Sequence, residues 1–87
     1  MAVLFVVSVF DSAIQAYGRP VFVPATGAAV RSFIDEVNRS AQDNTLFNHP
    51  SDFELRLLGT FDEVSGVMVA HPPELLTRGK DVKNDAS

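Results

Sequence analysis

Residues 19–38, RPVFVPATGAAVRSFIDEVN, decide the fold. Val30, Phe33, Ile34 and Val37 fall at i, i+3, i+4 and i+7, which lays four apolar side chains along one helical stripe. The spacing predicts a helix over 27–38. Pro24 ends the extended apolar run before it, and Thr26 stands where an N-cap hydroxyl would meet the first free N–H groups. Arg31 with Asp35, and Asp35 with Arg39, are four apart on the outer side, a spacing that favours weak ion pairs. A stripe this narrow needs a flat apolar partner, so the rest of the chain is expected to supply a sheet.

Two flanking stretches read as that sheet. Residues 3–10 are rich in valine and phenylalanine and apolar on both alternating faces, which suits a central strand. Ten residues without a positive leader are too few for a bilayer span and do not read as a signal peptide. Residues 53–62 give the clearest alternation: Phe53, Leu55, Leu57 and Phe61 against Glu54, Arg56, Thr60 and Asp62. Between these lie a turn over 11–18, then a second strand over 19–23 that Pro20 marks as an edge. After the helix comes a polar loop over 38–48 anchored by Phe47. Glu63-Val64-Ser65-Gly66 reads as a hairpin turn, followed by a short strand over 67–70 that Pro72-Pro73 terminates. Residues 74–76 are expected to form one helical turn, and the chain from Arg78 onward to fray. The fold class is therefore α+β, ordered ββαββ: a four-stranded, mostly antiparallel sheet with one helix on one face. Residues 1–77 form one domain and 78–87 a flexible polar tail.

One helix covers one face only. Leu4, Val6 and Phe10 then point to the other face, to be covered either by residues 72–77 folding back or by a second copy. The second copy is the expected solution for so small a domain, making the protein a homodimer.

Composition narrows the chemistry. There is no cysteine, so neither a disulfide framework nor thiolate chemistry is available. The 87 residues carry 7 Lys/Arg against 11 Asp/Glu, a net charge of −4, the wrong sign for bulk electrostatic coating of nucleic acid. Three of the basic groups, Arg78, Lys80 and Lys83, lie in the last ten residues. The remaining 77 residues hold four basic and nine acidic groups, a net of −5, so any cationic surface is local. No phosphate-cradling glycine motif and no H-E-x-x-H is present. His49 and His71 each precede a proline and have no helical ligand partner, which argues against a metal site. Asp35 and Glu36 are adjacent on a helix and diverge, so they make no acid–base pair. Neither an enzyme nor a cofactor is expected.

Nucleic-acid contact is the remaining chemistry. Tyr17, Arg19 and Phe22 surround the first turn, while Arg31 and Arg39 line the helix. Aromatic rings beside arginines hold single strands by stacking bases while guanidinium groups meet phosphate. The competing reading makes Phe22 core, Tyr17 a turn residue and the arginines partners of nearby carboxylates.

The chain resembles the small nonstructural protein of gokushovirus-like microviruses, which are single-stranded DNA phages. The resemblance rests on VFDSAIQAYGRPVF (9–22), PATGAAVRSFIDEVN (24–38), LFNHPSDFELRLLGTFDEVSG (46–66) and a closing Pro73-Glu74-Leu75. Asp11, Tyr17, Pro20, Arg31, Phe33, Asn38, Pro50, Asp52, Phe53, Gly59, Phe61, Asp62 and Gly66 match the family pattern; Gly18-Arg19 departs from it. The resemblance implies a non-catalytic protein of the host bacterial cytoplasm, outside the virion shell and the membrane. It further implies binding of single-stranded DNA during genome replication or packaging. Joined to the residue reading, it gives Tyr17, Arg19, Arg31, Arg39, Arg78, Lys80 and Lys83 as candidate contacts. The alternative is a protein-interaction module that engages a phage replication or assembly protein, or a host factor, without touching DNA.

Overall fold

The computed structural model describes residues 2–84. Strand β1 (Val3–Asp11) runs through the middle of an antiparallel sheet, as its two apolar faces require. On one side it pairs with β2 (Ala16–Tyr17) and β3 (Val21–Val23). On the other it pairs with β4 (Phe53–Asp62), which in turn pairs with β5 (Met68–Arg78). The single strand expected over 19–23 is thus two short ones. The chain leaves the ladder at 18–20, where Pro20 has no N–H to donate. Gly18 is still held there, its N–H donating to Val9 O (2.9 Å) and its carbonyl accepting from the buried Ser8 hydroxyl (2.7 Å).

Helix α1 (Thr26–Val37) begins one residue earlier than expected. Ala25, extended at φ −153° after Pro24, takes the cap position, so Thr26 is the first helical residue and its hydroxyl caps nothing. The buried stripe is Ala29, Phe33 and Val37, with Val30 and Ile34 only half-buried at its border. It packs on Val7, Phe53 and Leu55 to form the core. The expected pairing of Asp35 with Arg31 and Arg39 does not occur. The helix ends at Val37, so Arg39 lies beyond the last turn and pairs with Glu36 instead (2.7 Å).

Three further corrections concern the connections. The loop after α1 contains a short helix, α2 (Thr45–Asn48), capped by Asn44, and Leu46 rather than Phe47 reaches the core. Strand β5 does not stop at Pro72-Pro73 but continues to Arg78. As the outer strand of the sheet it can turn missing donors to solvent. The register slips between Leu57 and Gly59 and again between Leu55 and Arg56, absorbing the prolines in bulges. Residues 74–76 are accordingly strand, not a helical turn. Finally, the chain does not fray at Arg78. Gly79–Val82 forms a short helix, α3, with Gly79 buried against Pro50 and Val82 packed on the core. Asn38 fastens it: Nδ2 donates to Ile34 O (2.9 Å) and Val82 O (3.0 Å), and Oδ1 accepts from Asn84 N. Residues 85–87 of the expected tail lie outside the described residues.

The β4–β5 hairpin turns as the sequence suggests. Gly66 has φ +76°, and its N–H donates to Asp62 O (2.8 Å). All three described helices sit on the face of Val7, Val9 and Leu55. Residues 72–77 belong to the outer strand, with Leu76 packed on the core, and do not fold back over the opposite face, which is left open.

Candidate nucleic-acid interface

Opposed residues of antiparallel strands point to the same face, so the register defines what the open face carries. The pairs Phe10↔Tyr17, Phe10↔Glu54 and Glu54↔Arg78 make one row across four strands. The next row holds Ser8, Arg56 and Leu75. Arg56 leans back over the first row: its guanidinium carbon lies 4.3 Å from the Phe10 ring centroid and 5.7 Å from that of Tyr17. The two rings are themselves in contact, 4.8 Å apart. Nη1 of Arg56 donates to the Tyr17 hydroxyl (2.7 Å) and Nε to Glu54 Oε1 (2.9 Å). Glu54 Oε2 accepts from Arg78 Nε (3.2 Å).

Electrostatically this is one carboxylate between two guanidinium groups. The hydrogen bond from Arg56, and more weakly the one from Arg78, holds the Glu54 carboxyl below its ordinary value. The same contact, with the Tyr17 hydroxyl, raises Arg56 further above the range in which it could lose its proton. Asp81 lies 4.0 Å from Nη1 of Arg78 and offsets part of its charge, which leaves Arg56 as the cation of a surface that is otherwise aromatic and aliphatic. Tyr17 is 39 % exposed, and the Arg56 side chain 28 %. Phe22, further along the same face, is 47 % exposed and meets Phe61 edge to face at 5.5 Å.

Of the residues the sequence singles out, Tyr17 and Arg78 come together here. Arg19 is exposed between β2 and β3. Arg31 and Arg39 ride on the helix side of the sheet, away from this face; Arg39 is committed to Glu36, while among the described residues Arg31 has no ion pair. Lys80 is exposed on α3. Lys83 is a fastening: Nζ donates to Phe47 O (3.1 Å) and sits 3.9 Å from the Phe47 ring centroid. Arg56, the centre of the cluster, was missed. Its place on the polar side of the β4 alternation was visible, but only the pairing of β4 with β1 puts it over Phe10.

Two open clefts of about 280 and 270 Å³ lie on the helix side and beside the first turn. Both are lined mainly by aliphatic side chains, with Glu36 in the first and Asp11 in the second. Among the described residues no group of three or more His, Asp or Glu side chains could hold a metal ion, and no helix is long and apolar enough to cross a membrane.

Fold and surface together define a small α+β protein that presents a bare sheet face bearing an arginine–aromatic cluster. A family model described as Phage ORF5 protein matches residues 4–82, and the chain belongs to that family. It is 34% identical over 65 residues to Protein ORF5 of Chlamydia phage 1, an alignment covering 72% of this chain and 68% of that protein. The microvirus resemblance read from the sequence holds at this level: this is a small phage protein of that group. No solved structure matches the chain.

Proposed function

We propose that the open face holds single-stranded DNA, and that the protein acts without catalysis in replicating or packaging the phage genome in the host cytoplasm. The Arg56 cluster carries the reading. A guanidinium plane already fixed against Phe10 and Tyr17 needs little further ordering to accept a base on its outer side. Tyr17 offers a ring face for a neighbouring base, and Arg78 and Arg19 stand nearby for phosphates. The family resemblance, with its suggested DNA-binding role, supports the same conclusion.

The test is fluorescence anisotropy with a labelled oligothymidylate, at several salt concentrations between about 10 and 150 mM. Two or three phosphate contacts per chain give a log–log salt slope of roughly −1 to −2 on a single strand. Arg56→Ala is expected to weaken binding about tenfold or more, the loss of one stacked base. Arg31→Ala, on the far side, should stay within about twofold of the parent by the same measure. No binding at any salt ends the DNA reading; a loss on Arg31→Ala with none on Arg56→Ala moves the strand to the helix side.

A further inference from the structure

We infer that the distal half of the open face is a self-association surface, on which a second copy of this chain packs sheet to sheet. Beyond the Arg56 row the face is made of Leu4, Val6, Phe22, Phe61, Met68 and Ala70, aligned by the pairs Leu4↔Phe61, Phe61↔Met68, Val6↔Phe22 and Gly59↔Ala70. None of the six is charged, and only Val6 among them is buried. Phe22 and Met68 remain 47 % and 56 % exposed, an apolar patch of the kind that soluble monomers avoid.

Three observations favour a second copy as the occupant. First, the patch is free of charge, so a two-fold axis through it brings identical surfaces together without opposing like charges, although each chain carries −4. Second, the area reaches the lower end of the range for specific interfaces. The molecule measures 48 by 24 Å along its longer axes, so half of one face is roughly 600 Å², and such interfaces begin at roughly 600 Å² from each partner. Third, the edges are closed to strand addition. Pro20 and Pro24 bracket the three-residue β3, and Pro72-Pro73 with its bulges breaks the outer edge of β5. Face-to-face packing, about 10 Å between sheets, is the geometry left. The Arg56 clusters then lie outside the contact, one at each end of the pair. The inference stands on packing alone and does not need the DNA reading.

Neighbouring residues on β5 supply the experiment. Met68 faces the patch, whereas Val69, equally exposed at 55 %, pairs with Thr60 on the helix side. By analytical ultracentrifugation at about 100 µM the parent should sediment at twice its 9.5 kDa chain mass. Met68→Glu should raise the dissociation constant by more than about a hundredfold and give a monomer, because it buries an unpaired carboxylate. Val69→Glu should remain a dimer. Far-UV circular dichroism checks that each variant is folded, and Phe22→Ser replaces Met68→Glu if that one is not. A monomeric parent at this concentration hands the patch to a different protein and overturns the inference. So does a dimer that survives Met68→Glu, or one that only Val69→Glu dissolves.

Discussion

Asn44 offers the sharpest test of how the helical layer is held. It is buried at 5 % exposure in a connection that the sequence reads as polar loop. Its Nδ2 donates to Glu36 O (2.8 Å) and Arg39 O (2.9 Å), closing the end of α1, and its Oδ1 accepts from Leu46 N (3.2 Å), opening α2. Each bond is worth about 1 kcal/mol net, and removing the side chain takes this donor from the Arg39 carbonyl, while Glu36 O keeps the Arg39 N–H (3.2 Å). Asn44→Ala should therefore cost about 2–3 kcal/mol. A domain of this length has only about 4–13 kcal/mol in total, so the melting temperature should drop by roughly 10–20 °C. Urea denaturation followed by circular dichroism gives the free energy, with an unchanged m-value showing that the unfolding reaction is the same. Asn44→Asp separates capping from clamping. Aspartate caps as well as asparagine, but it would face two carbonyls with acceptor oxygens, so it should be at least as damaging as alanine. Asn48→Ala, which removes one exposed bond to Gln42 O, should stay within about 0.5 kcal/mol. If Asn44→Asp matches the parent, the residue is a cap only and the clamp argument is wrong.

Two further outcomes follow from the sheet. At Gly59 a Cβ would overlap the Val69 carbonyl oxygen on the adjoining strand, so Gly59→Ala must displace β5 and should cost about 1–3 kcal/mol. Gly27→Ala, with open space around it in the first turn of α1, should instead stabilise by about 0.4–1 kcal/mol; thermal melts showing the same sign for both would refute the contrast. In acid, Glu54, Glu36 and Asp62 all have folded carboxyls held below their ordinary values, by Arg56, by Arg39, and by the Val64 and Ser65 N–H groups respectively. Depressed carboxylates stabilise above their unfolded values of about 4 and lose that contribution as pH falls through the folded ones. Urea midpoints should be level from about pH 7 to 5 and fall below about pH 4, less steeply in Glu54→Gln; a parent curve flat to about pH 3 would contradict this.

What the sequence made legible is what short-range pattern encodes. The alternation through β4, the two-sided β1, the 63–66 turn and the stripe on α1 each depend on residues within a few positions of one another, and all appear in the structure. The open face was also foreseeable, because one helix cannot cover two sides of a sheet. Longer-range matters were not. Whether Pro72-Pro73 ends a strand depends on whether that strand is outermost, which is a property of the whole sheet. The place of Arg56 depends on a register that slips between Val6 and Val7, and no local rule locates that slip. Thr26 looked like a cap because threonine usually is one, but the extended backbone at Ala25 took that position first. The docking of α3 relies on Asn38 reaching Val82 across 44 positions, so the tail reads as loose until the fold is closed.

The net charge of −4 looked like the main objection to DNA binding, and the architecture alters its weight. Asp35 and Glu36 sit on α1, on the helix side of the sheet, while Arg56 and Arg78 share the other face, with Asp81 of α3 4.0 Å from Arg78. The molecule is 20 Å thick along its shortest axis. At 0.1 M salt the screening length is about 10 Å, so much of the carboxylate field is lost before it reaches the open face. At 0.01 M that length is about 30 Å, longer than the molecule is thick, and the whole chain then repels a polyanion. Lowering salt thus strengthens the local contacts to Arg56 and Arg78 while it restores the global repulsion. The affinity of the parent should rise as salt is lowered toward about 50 mM and then level off, rather than climb along one straight line. A strictly linear log–log plot down to about 10 mM would mean that the carboxylates and the cationic row are not separated by the sheet as described.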